Sequence, residues 1–75
     1  MILPIERANE LEITPTGVVI SQANWVDLYF VDAKDRLAVI AAVMEYALAG
    51  EEPGLPWHLM DVFEEVVERL SVVVD

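Results

Sequence analysis

Seventy-five residues carry 14 acids against four bases, a net charge of −10, beside a hydrophobic fraction of 56%. Phosphate backbones are gripped by clustered cations that release counterions; here Arg7, Lys34, Arg36 and Arg69 are scattered along the sequence, so direct DNA or RNA binding and attachment to anionic membranes are not expected. The absence of cysteine excludes disulfides, thiolate zinc sites and cysteine nucleophiles, and a single histidine excludes a cluster of imidazole ligands.

One small domain over residues 1–75 is the expectation. A chain of this size buries only about 60% of its unfolded surface, so small domains commonly add a disulfide, a metal or a partner chain. With cysteine absent, an efficient core or oligomerisation is left, and the apolar composition fits both. The start, Met1-Ile2-Leu3-Pro4-Ile5-Glu6, lacks the basic segment and apolar core of a signal peptide. The longest uncharged apolar run, Leu37 to Met44, is far short of the roughly 20 residues of a spanning helix. A soluble, cytoplasmic protein is expected.

In chain order, the first ten residues allow two readings. Pro4 suits the first turn of a short helix through Glu10, or Ile2 to Ile5 is an extended edge segment. Leu11 to Thr14 and Val18 to Ser21 flank Pro15-Thr16-Gly17, the chemistry of a three-residue hairpin loop with a left-handed residue at Gly17. Trp25 to Val31 is rich in aromatic and β-branched residues, which favours a third strand. The alternative is a helix capped by Ser21. Asp32 suits an N-cap, Ala33 to Ala49 reads as helix, and Gly50 as its stop. Leu37, Ile40, Val43, Met44, Ala47 and Leu48 form its apolar face, yet Ala38, Ala42 and Ala49 leave the far side weakly polar too. A helix so apolar all round predicts cover on more than one side. The covering element is either the N-terminal segment or the same helix of a second subunit. Pro56 then opens a last helix running to about Val73, with Glu65 and Arg69 placed to pair at i, i+4.

That last helix is sharply two-sided. Met60, Phe63, Val66, Val67, Leu70 and Val74 share one face; Asp61, Glu64, Glu65, Glu68 and Asp75 share the other. The simplest reading of the acids is a solvated face. The functional reading is a docking strip for a basic protein, with mimicry of nucleic acid as its extreme form, since carboxylates on a rigid rod can imitate phosphates. His58, Asp61 and Glu65 also suggest a divalent-metal site, but three ligands from one helix rarely close one. No glycine-rich phosphate loop is present, and neither Ser21 nor Ser71 has the context of a nucleophile. Catalysis and cofactors are not expected. Trp25, Tyr29, Val31, Tyr46 and Trp57 are the candidates for an apolar contact surface, because Trp and Tyr are enriched at binding hot spots.

The expected fold is α+β: a three-stranded antiparallel meander followed by a two-helix hairpin on one sheet face, with an all-helical bundle as the alternative. The expected function is a non-enzymatic interaction protein, a small regulator or accessory subunit acting as a homo-oligomer or bound to a larger protein. A nucleic-acid-mimic inhibitor comes second and a divalent-metal binder third.

Overall fold

The end of the chain forms the middle of the sheet. In the computed structural model, which describes residues 1–75, the elements run β1 (Ile2–Pro4), α1 (Ile5–Glu10), β2 (Gly17–Val19), α2 (Gln22–Tyr29), α3 (Ala33–Ala49), α4 (Trp57–Glu68) and β3 (Ser71–Val73). The strand order is β1-β3-β2, and both outer strands run antiparallel to β3. The α+β class with three antiparallel strands stands, although most of the strand positions and the meander connectivity do not.

The cause lies in residues 70–75. Leu70, Val72 and Val74 are buried, Ser71 and Val73 are half-buried, and Asp75 is exposed, which is the period-two pattern of a strand. α4 therefore stops at Glu68 rather than near Val73. The β-branched run Val72-Val73-Val74 fits a pleated surface better than a helix. Leu3 and Val18 flank Val72 in one row and pack on the core. Pairing continues past the strands: Ile5 N–H donates to the Leu70 carbonyl at 2.9 Å, and Val74 N–H to the Met1 carbonyl at 2.8 Å. The Val73 carbonyl accepts both the backbone N–H and the hydroxyl of Thr16.

With β3 as the central strand, the hairpin expected around Pro15-Thr16-Gly17 does not form. Val18 pairs with Val72 instead of facing Thr14, and Gly17 pairs with Val73 in ordinary extended backbone. Leu11 caps α1, and Glu12 takes the left-handed conformation (φ 55°) in the turn that follows. Both readings of the N-terminus are partly realised, with β1 leading directly into α1. Trp25 to Val31 is not a strand. Ser21 caps α2 by accepting the Asn24 N–H at 3.2 Å, and the helix runs to Tyr29.

α3 keeps its expected bounds. Gly50 ends it at φ 69°, with Gly50 N–H on the Tyr46 carbonyl, the closure of a left-handed C-cap, and Glu51 N–H on the Glu45 carbonyl. Asp32 sits at the N-cap position without a side-chain cap bond. The buried stripe is Val39, Ala42, Val43 and Ala47, rotated from the expected face, so Leu37 and Met44 point to solvent. The core gathers these with Ile5, Ala8, Leu28, Leu59, Phe63, Val66, Leu70, Val72 and Val74. Each large aliphatic side chain so buried stabilises the fold by about 1.5–3 kcal/mol. No helix is long and apolar enough to cross a membrane.

Candidate protein interface

α2 is turned inside out. At about 100° per residue, Trp25, Tyr29, Val26 and Phe30 fall within one arc of about 140°, and that arc faces solvent. Phe30 is 83% exposed, Tyr29 63% and Trp25 46%, while the side turned to the core carries Leu28 and Asn24. Asn24 is fully buried, and neither its side-chain oxygen nor its nitrogen has a hydrogen-bond partner. An unpaired buried polar group costs about 1–3 kcal/mol. Exposed aromatics also forgo the burial that would stabilise the fold.

Arg36, in the first turns of α3, holds this arrangement. Its Nε donates to the Leu28 carbonyl at 2.9 Å, and its Nη2 donates to the carbonyls of Tyr29 (3.0 Å) and Val31 (3.1 Å). The Leu28 carbonyl also accepts the Val31 N–H at 3.2 Å, and a guanidinium fork can bond several carbonyls around a helix end at once. The same guanidinium lies 5.6 Å from the ring centroids of both Trp25 and Tyr29, within cation–π range. Tyr29 and Phe30 meet edge to face at 6.0 Å. The rings are thus held in place while remaining open to solvent. Leu37, the residue after Arg36, is 71% exposed. It heads an outward line on α3 of Leu37, Ala41, Met44 and the half-buried Leu48, at spacings of four, three and four.

The five apolar candidates separate. Trp25 and Tyr29 come together on Arg36. Val31 is half-buried and packs on the core rather than lining the patch. Tyr46 is half-buried, with its ring edge to face with Phe63 at 5.7 Å and its hydroxyl accepting a long 3.5 Å bond from Asn9. Trp57 is 82% exposed but opens α4, whereas α2 touches the other end of that helix: Arg69 Nη1 lies 3.4 Å from Asp27 Oδ2. Twelve residues of α4 put roughly 18 Å between the two ends. The sequence-derived list did not include Phe30, Leu37 or Arg36. Read as a helix, the 25–30 segment already placed Phe30 beside Tyr29, but nothing local announced that this side would face outward.

Asp61, Glu64, Glu65 and Glu68 are all exposed along α4, and none is in an ion pair. The Glu65–Arg69 pair does not form, because Arg69 turns to Asp27. No group of three acidic or imidazole side chains is close enough to hold a metal ion, so His58, Asp61 and Glu65 do not assemble the site that their spacing suggests. The molecule has no ligand-sized pocket.

Charge sorts the surface further. Residues 21–37 hold three acids and two bases, and Arg69 adds a third base against Asp27. Residues 21–37 with Arg69 therefore sum to zero, and the remaining residues carry the −10. Comparison with protein families, characterised proteins and solved structures finds no match to this chain.

Proposed function

We propose that this chain is a non-enzymatic protein–protein interaction module, a small regulator or accessory subunit, whose contact surface is the outward face of α2 with Leu37. The inversion of α2 carries this reading. A helix that buries an unpaired amide and presents three aromatic rings to water gains from a partner that covers those rings. Rings fixed on Arg36 also lose little conformational freedom when they are covered, which favours binding. We place the protein in the cytoplasm, where a chain without cysteine loses nothing to a reducing environment.

A photo-crosslinking residue at position 30, compared with one at position 64 in the native host, tests the reading. The expected result is a specific adduct from position 30. Adducts from position 64 alone would move the contact to the acidic face.

A second reading is supported by the four unpaired acids along α4. On that reading α4 presents a phosphate-like row to a basic, nucleic-acid-binding protein and inhibits it. Reversal of Glu64, Glu65 and Glu68 to Lys abolishes capture in that case and leaves it intact in the first.

A further inference from the structure

We infer that the occupant of the α2 face is a second copy of this chain, in a two-fold dimer formed by the outward faces of α2 and α3; this rests on the interaction reading above.

The first support is charge. Two molecules of −10 repel wherever their acids meet, and the α2–α3 corner, residues 21–48 with Arg69, holds four acids against three bases, so it carries only −1 of that charge. A pairing through it leaves the α4 acids of both copies on the outside. Over such separations repulsion is screened at physiological salt, where the Debye length is about 8 Å. A basic partner, by contrast, finds an excess of a single acid at this corner.

The second support is area. With aromatic side chains offering about 150–250 Å² each, the exposures of Trp25, Tyr29, Phe30 and Leu37, together with Val26 and Met44, leave on the order of 600 Å² of apolar side chain uncovered. If all of it were covered in both copies, the apolar burial would reach on the order of 1,200 Å², the lower end of the range for specific interfaces.

The third support is shape. Outward Leu37, Ala41 and Met44 make a second apolar line on a helix whose other side is already in the core. The small side chain at Ala41 lets a facing helix come close. A face that packs on its own symmetry mate closes after one pairing, as two-fold interfaces do. The outer face of the sheet is also apolar, but its strands are only three residues long.

Sedimentation equilibrium of the chain tests the dimer, from about 1 µM to about 1 mM and at roughly 0.05 and 0.5 M NaCl, on either side of physiological screening. The expected mass rises from 8.4 kDa towards twice that value, and the transition moves to lower concentration at high salt. Phe30→Glu and Leu37→Glu each weaken the association at least about 30-fold, as expected for central contacts, with an unchanged far-UV circular dichroism spectrum. Trp57→Ala leaves it as it was. A strict monomer at every concentration and salt overturns the second copy, while an adduct from position 30 with a different protein still upholds the interaction reading. A dimer indifferent to both Glu variants overturns the dimer face proposed here, and absence of any position-30 adduct then removes the interaction reading as well.

Discussion

α4 and α2 lie against each other and obey opposite rules. α4 puts Leu59, Phe63 and Val66 into the core and its four acids into water. α2 puts Leu28 and Asn24 into the core and, with its C-cap Phe30, Trp25 and Tyr29 into water. Apart from the exposed Trp57 at its first position, a helix sorted like α4 is accounted for by one core and one solvent. A helix sorted like α2 is not, and the proposed contact surface rests on that difference rather than on net charge. The acids lie in water, and the exposed rings are what the proposed partner would cover.

The contrast can be broken from the α4 side first, where the effects are largest. Phe63→Ala removes a buried ring and its edge contact with Tyr46. It is expected to cost about 3–5 kcal/mol in urea unfolding, a large part of the stability of so small a domain. If the loss is under about 1 kcal/mol, α4 is not the organising helix.

Arg36→Lys comes next. An ammonium cannot reproduce a fork that reaches three carbonyls and two rings. The expected loss is about 1–2 kcal/mol, with a change in tryptophan emission as Trp25 loosens. Emission and stability like the parent's would show that Arg36 does not fix the rings.

Asn24→Ala acts in the opposite direction. It removes two buried unpaired atoms and improves helix propensity, against a small cavity. A gain of about 1 kcal/mol in thermal or urea unfolding is expected. A clear loss would mean that the amide has a partner after all, and α2 would then be less inverted than described.

The smallest effect belongs to the acidic strip. Asp61 with Glu65, and Glu64 with Glu68, are like charges at i, i+4 on an exposed face. Glu64→Gln with Glu65→Gln is expected to raise stability by a few tenths of a kcal/mol, an effect that disappears in high salt.

How far the sequence could be read follows from the same helices. α3 was legible because Gly50 is a strong stop, and the two-sidedness of α4 because its period is long and regular. The end of α4 was not, since Phe63, Val66, Val67, Leu70 and Val74 fit a helical stripe as well as Leu70, Val72 and Val74 fit a strand. Only pairing with β1 and β2 decides between them. Trp25 to Val31 departs from its local pattern for a related reason. Its side chains favour a strand, but β3 occupies the centre of the sheet, and the Ser21 cap and Arg36 stabilise the helix. For the candidate interface, Trp25 and Tyr29 were legible as aromatic residues with polar handles. The outward turn of α2, the burial of Asn24 and the reach of Arg36 and Arg69 to α2 are products of tertiary packing, and no local pattern encodes them.

The most direct measurement is a dilution series of backbone amide chemical shifts, because it reports on both helices in one sample. With α2 as the contact helix, concentration-dependent shifts are expected to cluster over residues 22–37 and 41–48, while residues 61–68 stay fixed. Shifts confined to 61–68, or none anywhere up to millimolar concentration, would contradict the assignment of the inverted helix as the surface on which two copies meet.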